Sequence, residues 1–298
     1  MNAAYRGRFA PTPSGPLHFG SIVAAVGSYL EARTHGGEWH LRIDDLDRPR
    51  VVPGAVDSIL RCLEQLGFEW DGPVIYQSQR TPAYHAALHQ LRQRGLVYPC
   101  ACSRKDIAEH AVMGVEGPVY PGTCRDGMLP GREARAVRLR TTGARAEFED
   151  GVLGPQARDI EHEAGDFVLY RPDGVFAFHL ASAVDDGELG MTDIVRGADL
   201  LESSARQIYV LGLLGLPVPR YAHLPIAVNA SGEKLSKQTH AEPIDPCQPA
   251  RVLVPALRFL GQAPPQELSG VNIRVLWDWA TTNWRLARVP KTSSSLSE

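Results

Sequence analysis

The sequence predicts an α/β fold in which a doubly wound parallel sheet is interrupted by a cysteine-bearing insertion. Over residues 5–94, apolar segments that suit strands alternate with segments that suit helices, an order typical of parallel sheets. A weakly periodic stretch that holds three of the five cysteines then follows. The alternation returns at about residue 176, which indicates that one sheet is completed after the insertion.

The first half of the sheet, residues 1–98, is predicted from six elements. Its strands are expected at 5–10, 39–43 and 74–76, and its helices at 19–35, 53–66 and 82–94. The first helix is apolar or small on most sides, which is typical of a helix buried by its neighbours. The second helix is amphipathic and places Ile59 and Leu63 on one face.

The rest of the chain divides into three predicted segments. Residues 99–175 are expected to form an insertion with its own small fold, because glycines and charges replace the alternation there. Residues 176–242 return to the sheet, with a helix at 200–214 and a strand at 221–228. Residues 243–298 form a C-terminal segment with a last helix at 271–285 and a Ser-rich tail, 291–298, that we expect to be disordered.

Composition and charge limit the class of protein. The 298 residues are 44% hydrophobic and 22% charged, which is typical of a globular protein with a sizeable core. The formal net charge of −3 excludes a uniformly basic nucleic-acid binder but leaves room for a local basic face. The most apolar charge-free stretch, 208–219, is too short to span a bilayer, and five cysteines argue against a disulfide framework. We therefore expect a cytoplasmic monomer that does not contact a membrane.

A first motif lies between the first strand and the first helix. Residues 8–21, with the sequence RFAPTPSGPLHFGS, place a proline-rich turn before His18 and Gly20 at the helix start. The N-terminal N–H groups of a helix attract anions, and glycine permits close backbone approach, so this geometry suits a nucleotide phosphate. A turn that only caps the helix would use the same residue types, and the segment alone leaves both interpretations open.

A second motif is the sequence KLSKQ at residues 234–238, which follows the predicted strand 221–228. Lysines on a loop are commonly solvated surface residues. The chain has four lysines, however, and two of them, Lys234 and Lys237, fall within these five residues. This unusual usage favours a functional role without establishing one.

Together the motifs resemble the two signatures of class I aminoacyl-tRNA synthetases. Residues 18–21 resemble the HIGH sequence and residues 234–238 the KMSKS sequence. Residues 8–15, 42–47, 184–186 and 194–199 resemble the glutamate-specific branch of that family. The resemblance covers about residues 5–245. Within it, the chain is most similar to the paralogues that act on the queuosine base of tRNA(Asp) and lack an anticodon-binding domain. The resemblance implies a Rossmann-type class I synthetase sheet with a zinc-bearing insertion and a short C-terminal helical segment.

The resemblance also implies a reaction. Glutamate would be activated as glutamyl-adenylate with ATP, which arrives with Mg²⁺, without the help of tRNA, and would then be transferred to tRNA(Asp) carrying queuosine. The implied catalytic residues are His18 and Lys237, which would neutralise charge in the transition state. ATP would be bound by His18, Gly20, Lys234 and Lys237. No general base is needed, because a carboxylate is already ionised at pH 7.

A pocket for L-glutamate follows from the same resemblance. Arg8 and Arg196 would receive the substrate's carboxylates, which a planar guanidinium can bind with two hydrogen bonds. Asp44 would receive the α-ammonium group, where most of the family has glutamate. The other implied pocket residues are Phe9, Ala10, Pro11, Thr12 and Phe178. Phe178 replaces the family's tyrosine and lacks its hydroxyl. Without the resemblance, Asp44 would be read as part of a solvated acidic turn and Arg196 as a surface ion pair.

The cysteine cluster suggests a metal site. Cys100, Cys102 and Cys124 follow a C-x-C-x17-Y-x3-C pattern with Tyr120, and thiolates are ligands suited to Zn²⁺. Three thiolates leave one tetrahedral position, and spacing alone does not choose among Tyr120, His110 and Asp126. The resemblance implies Tyr120, with one structural zinc per chain that pins a loop-rich segment. Three free thiols without a metal are the alternative.

Two other functions compete with this interpretation. A truncated glutamyl-tRNA synthetase would charge the 3′ end of tRNA instead of the queuosine base. A non-catalytic paralogue would only bind RNA, although the presence of His18, Gly20, Lys234 and Lys237 favours an intact ATP site.

Overall fold

The computed structural model describes residues 4–114, 117–128, 131–228 and 244–296. Its helices are α1 (Phe19–Thr34), α2 (Ala55–Gln65), α3 (Thr81–Gln93), α4 (Arg104–Ala108), α5 (Ile160–Glu163), α6 (Phe178–Glu188), α7 (Leu201–Leu214), α8 (Pro249–Phe259) and α9 (Ile273–Asn283). Its strands are β1 (Arg6–Phe9), β2 (Glu38–Ile43), β3 (Ile75–Tyr76), β4 (Val97–Cys100), β5 (Met113–Gly114), β6 (Gly117–Pro118), β7 (Ala136–Leu139), β8 (Arg145–Asp150), β9 (Gly154–Asp159), β10 (Val168–Tyr170), β11 (Asp193–Gly197), β12 (Arg220–Leu224), β13 (Ile226–Val228) and β14 (Ser294–Leu296). No helix in these ranges has the length and apolar character needed to cross a membrane.

The predicted parallel sheet forms the centre of the fold. Strands pair in parallel in the orders β3–β2–β1 and β11–β12. The N–H of Thr192 donates to the carbonyl of Arg6 at 2.9 Å and joins the two halves. The strand order therefore reverses between β1 and β11. In such sheets, ligands bind beyond the carboxyl ends of the strands at this point.

Helix α1 anchors the sheet to the C-terminal segment. Its small and apolar residues are buried through most of its length, as the sequence predicted. Gly27 lets α1 approach β12 closely, because a Cβ there would lie 2.4 Å from Leu224 Cδ1 and would displace that methyl group. The ring of Tyr29 contacts those of Trp39 and Trp277 at centroid distances of 5.1 and 4.9 Å, so α9 packs on the same core.

The C-terminal segment contains more regular structure than the sequence predicted. Helix α8 was missed because it contains Pro249 and Pro255. Pro249 occupies the first turn, where its missing N–H is not needed, and Pro255 removes one hydrogen bond inside the helix. The prediction of a disordered tail was wrong for Ser294–Leu296, which forms β14 and pairs in parallel with β13. The open edge of β13 supplies backbone partners that tail composition does not reveal.

The segment predicted as a separate insertion, 99–175, contributes strands both to a small sheet of its own and to the main sheet. Strands β4, β7 and β10 form an antiparallel sheet that contains Cys100, and β5 pairs with β6. Strands β8 and β9 instead extend the main sheet, with Asp150 of β8 opposite Tyr221 of β12. The predicted boundary thus assigned too much chain to the insertion. Alternate residues of β8 are exposed and charged, a pattern typical of a strand with one solvated face, which the prediction of an irregular insertion overlooked.

Candidate active site and metal centre

A cavity of about 490 Å³ opens at the carboxyl ends of β1, β2 and β11 and the start of α1. The structure brings most of the predicted site residues together here. Those that line the cavity are Arg8, Phe9, Ala10, Thr12, His18, Gly20, Asp44, Phe178 and Arg196. Pro11 does not line it, but its carbonyl accepts a hydrogen bond from the N–H of Asp44 at 3.1 Å. Pro11 therefore fixes the backbone of a lining residue.

One wall of the cavity is formed by the strand that precedes the KLSKQ motif in the chain. Pro225, Ile226 and Ala227 line the cavity, and the strand predicted at 221–228 is interrupted at Pro225, which has no N–H to donate. The chain continues directly from β13 into residues 229–243. Lys234 and Lys237 belong to this segment and lie outside the described residues.

The amino-terminal end of α1 forms another wall. His18 precedes the helix in an extended conformation (φ −121°, ψ 173°), and its carbonyl accepts from the N–H groups of Ser21 and Ile22. The His18 side chain makes no capping hydrogen bond to this helix end. The first-turn N–H groups and the partial positive charge of the helix terminus therefore face a cavity that also contains Gly20, an arrangement suited to an anion.

Two arginines of the cavity are neutralised by buried carboxylates. Arg8 makes two hydrogen bonds to Asp186, at 3.2 and 3.1 Å, and Arg42 donates to Asp186 and Asp44, both at 2.7 Å. Burial opposes ionisation of Asp186, but Arg8 and Arg42 lower its pKa to about 2. At Asp44 burial prevails over Arg42 and raises the pKa. Arg8 and Asp44 are thus already engaged with protein groups.

Arg42 and Asp186 were not predicted as site residues, although they belong to the segments 42–47 and 184–186 that carry part of the family resemblance. Both line or support the cavity from fully buried positions. The neighbouring Asp185 is held by Gln77 (2.8 Å), Arg80 (2.6 Å) and the Tyr84 hydroxyl (2.9 Å), which ties α6 to α3. The available signal was the position of Arg42 between the apolar residues Leu41 and Ile43 at the buried end of β2, since an arginine in such a place needs buried partners.

Arg196 differs from the other two arginines. It is 5% exposed and donates to Ser204 at 2.6 Å, Gln207 at 2.8 Å and His223 at 3.4 Å, all uncharged or aromatic partners. Its Nη1 atom is buried and has no hydrogen-bond partner among the described residues. Burial lowers the pKa of Arg196 to about 10, and the charge of Arg8 acts in the same direction. This guanidinium is ready to bind an anion.

Phe178 begins α6 and remains 37% exposed within the cavity. Its ring meets that of His179 edge-on, with centroids 5.8 Å apart. Phe178 gives the cavity that Arg196 also lines an apolar surface and, unlike a tyrosine, provides no hydroxyl for a hydrogen bond.

The four predicted metal ligands lie together. The Sγ atoms of Cys100, Cys102 and Cys124 are within 4.8 Å of one another, and Cys102 and Cys124 are 3.6 Å apart. The Tyr120 hydroxyl lies 3.4 Å from Cys100 Sγ and 3.5 Å from Cys102 Sγ. Tetrahedral zinc with bonds of about 2.3 Å to sulfur requires sulfurs about 3.8 Å apart. The donor set and its spacing therefore fit zinc.

A buried arginine supports this cluster. The Arg138 guanidinium lies 3.8 Å from the Tyr120 ring centroid, and its Nε donates to Cys100 Sγ at 3.3 Å. Burial opposes ionisation of the Cys100 thiol, but hydrogen bonds from Tyr120 and Arg138 lower its pKa overall. Asp166, fully buried, accepts from Arg125 (2.7 Å) and Thr141 and fixes the strands behind the cluster.

Comparisons with known proteins identify the family of the chain. Residues 4–246 match the family model for the catalytic domain of class I tRNA synthetases (E and Q). The Glutamyl-Q tRNA(Asp) synthetase of Aromatoleum aromaticum is 56% identical over 96% of this chain and 91% of its own. That of Dechloromonas aromatica is 55% identical over 98% of both chains.

A solved structure shows the same fold. The glutamate tRNA ligase from Elizabethkingia meningosepticum, crystallised in complex with its amino acid, gives a TM-score of 0.79 at 24% identity. The match covers 99% of this chain and 67% of that chain. The predicted fold class is confirmed. With a family model over most of its length and close relatives over nearly all of it, the chain belongs to the Glutamyl-Q tRNA(Asp) synthetases, ligases of the class I tRNA synthetase family.

Proposed function

We propose that the protein activates L-glutamate with ATP as glutamyl-adenylate, without tRNA, and transfers the glutamate to the queuosine base of tRNA(Asp). The observation that carries this proposal is the buried guanidinium of Arg196, whose Nη1 has no partner among the described residues, in one cavity with the amino-terminal end of α1. The guanidinium is suited to bind a carboxylate, and the amino-terminal end of α1 is suited to bind a phosphate. The names of the relatives supply the acceptor.

In the first half-reaction, glutamate binds with its side-chain carboxylate on Arg196 and its α-ammonium on Asp44. Arg8, held by Asp186, offers its guanidinium as a further hydrogen-bond donor to the substrate's carboxylates, and Phe9, Ala10, Pro11, Thr12 and Phe178 form or support the wall. An oxygen of the α-carboxylate attacks the α-phosphorus of ATP, and the bond to the β-phosphate breaks to release pyrophosphate. The carboxylate is already ionised, so catalysis depends on positioning and on charge neutralisation.

The phosphates are assigned to the α1 side of the cavity. We propose that His18 and Gly20 bind ATP there together with Lys234 and Lys237, and that His18 and Lys237 neutralise the charge of the transition state. Mg²⁺ comes with ATP. In the second half-reaction a nucleophile of the queuosine base attacks the activated carbonyl, loses its proton, and AMP leaves.

We also propose that Cys100, Cys102, Tyr120 and Cys124 hold one structural zinc ion. Bound zinc would cross-link the end of β4 to the turn at 120–124, a segment with a small core of its own. The cluster is not among the residues that line the active-site cavity, so its contribution is to local folding.

Two measurements test the proposed function. ATP–pyrophosphate exchange should depend on glutamate and proceed without tRNA, with aspartate and glutamine as control amino acids. Labelled glutamate should then be transferred to tRNA(Asp) that contains queuosine and not to the same tRNA without it. Exchange that requires tRNA(Glu) would favour charging of a 3′ end, and a failure to bind ATP in calorimetry would favour a non-catalytic RNA-binding protein.

A further inference from the structure

A buried chain of hydrogen bonds connects β8 to Arg196. Asp150 Oδ2 lies 2.6 Å from His223 Nδ1, and His223 Nε2 lies 2.7 Å from Ser204 Oγ. Arg196 donates from Nε to His223 Nε2 at 3.4 Å and from Nη2 to Ser204 Oγ at 2.6 Å. The four side chains are at most 5% exposed. Three of them have no role in the reaction described above.

Asp150, His223 and Ser204 have the spacing of a nucleophilic Ser-His-Asp triad, so a hydrolytic role has to be considered first. Ser204 is fully buried and is not one of the described residues that line the cavity. Its oxygen accepts from Arg196 and lies 3.1 Å from the Leu200 carbonyl. A substrate cannot reach this hydroxyl. The chain of contacts therefore ends on Arg196 instead of on a reacting atom.

Asp150 sets the direction of the hydrogen bonds. Its Oδ1 accepts from the backbone N–H groups of Val152 (3.0 Å), Leu153 (2.9 Å) and His223 (3.1 Å), which fixes the carboxylate in one orientation. Oδ2 then accepts a hydrogen bond from the N–H at His223 Nδ1. Burial lowers the pKa of His223, so the ring is neutral at pH 7 and its Nε2 atom accepts hydrogen bonds. His223 Nε2 can therefore accept the hydrogen bond that the Nε–H of Arg196 donates.

We infer that Asp150, His223 and Ser204 are positioning residues that orient the Arg196 guanidinium toward the side-chain carboxylate of the substrate. This inference rests on the proposed function, in which Arg196 binds glutamate. Nε and Nη2 are held by the protein, which leaves Nη1 for the substrate. Because the guanidinium is oriented before binding, little side-chain freedom is lost when the carboxylate arrives.

Asp150→Asn tests the inference directly. The asparagine oxygen can keep the backbone hydrogen bonds, while its NH₂ group faces His223 Nδ1 and moves the ring hydrogen to Nε2, against the N–H of Arg196. We expect the KM for glutamate in ATP–pyrophosphate exchange to rise about ten- to a hundredfold, the effect of one lost charge-assisted hydrogen bond, with the KM for ATP unchanged. The ring ¹⁵N chemical shifts of His223, assigned with a His223→Gln variant, report the tautomer independently of activity.

Asp193→Asn is the matched control. Asp193 is a buried carboxylate of the same sheet, pairs with Arg220 at 2.7 Å, and does not line the active-site cavity. This variant should keep the glutamate KM of the wild type. If Asp150→Asn does not fold, Ser204→Ala removes one acceptor of Arg196 and should raise the glutamate KM by a smaller factor.

Two outcomes would overturn the positioning role. The first is a wild-type His223 that carries its hydrogen on Nε2. The second is an Asp150→Asn protein in which the tautomer changes while the glutamate KM does not. Loss of the proposed function itself would appear differently, as wild-type protein without glutamate-dependent exchange, and the ring shifts would still report whether Asp150 sets the tautomer.

Discussion

Replacement of Arg196 by methionine should separate stability from substrate binding. Burial lowers the pKa of Arg196 from 12.5 to about 10, which corresponds to about 3 kcal/mol of destabilisation by the charge in this site. Methionine removes that charge but also the hydrogen bonds to Ser204, Gln207 and His223, each worth about 1 kcal/mol. The two effects nearly cancel. The free energy of unfolding should therefore change by less than about 1 kcal/mol, while glutamate-dependent exchange is lost.

Arg42→Met provides the comparison. Arg42 is equally buried but donates to Asp44 and Asp186, and loss of one partner from a buried ion pair costs about 3–5 kcal/mol. Urea unfolding of the wild type and both variants measures the difference, and pyrophosphate exchange measures glutamate activation. If Arg196→Met destabilises the protein as much as Arg42→Met, the argument that Arg196 lacks a counter-charge is refuted.

Three further predictions concern other parts of the molecule. Cys100→Ser should lose bound metal and lower the thermal midpoint while ATP binding in calorimetry persists; unchanged metal content would contradict the proposed ligand set. Burial lowers the pKa of His179 to about 4, so on acidification the unfolded chain takes up a proton at this histidine before the folded protein does. The free energy of unfolding should therefore fall by up to about 3 kcal/mol between pH 6.5 and pH 4. Urea titrations of His179→Phe should show a smaller fall; an equal one would contradict this. In the β13–β14 register the Ser295 N–H faces Ile226, whereas the Ser294 N–H points away from β13. Proline has no N–H, so Ser295→Pro would remove a hydrogen bond between the two strands and Ser294→Pro would not. Ser295→Pro, but not Ser294→Pro, should therefore raise the KM for ATP in pyrophosphate exchange. Equal KM values for the two variants would contradict a role of β14 in the cavity wall.

Local patterns in the sequence were sufficient to predict the sheet and the cysteine cluster. The alternation of apolar segments placed β1, β2 and α1 within a few residues of their observed bounds. The cysteine spacing identified a cluster whose sulfurs do meet, although its fourth member, Tyr120, needed the family resemblance.

Features that depend on distant partners could not be predicted in the same way. Strand β14 exists because β13 has an open edge, and its Ser-rich sequence carries no sign of that partner. Arg8 and Arg196 were assigned the same role from the sequence, yet only Arg8 faces a carboxylate. Which buried charge is paired depends on side chains more than 100 positions apart in the chain, such as Arg8 and Asp186.

The pairing of buried charges also explains how this cavity would choose glutamate over glutamine. Arg8 and Arg42 are compensated by Asp186 and Asp44, whereas the buried Arg196 forms no ion pair with a carboxylate among the described residues. A glutamate carboxylate would supply the missing counter-charge and offset the roughly 3 kcal/mol by which burial disfavours this guanidinium, whereas a neutral amide would leave that penalty in place. Glutamate should therefore raise the thermal midpoint of the wild type more than glutamine at the same concentration, and this difference should vanish in Arg196→Met. An equal rise with both amino acids would mean that selectivity comes from contacts other than the charge of Arg196.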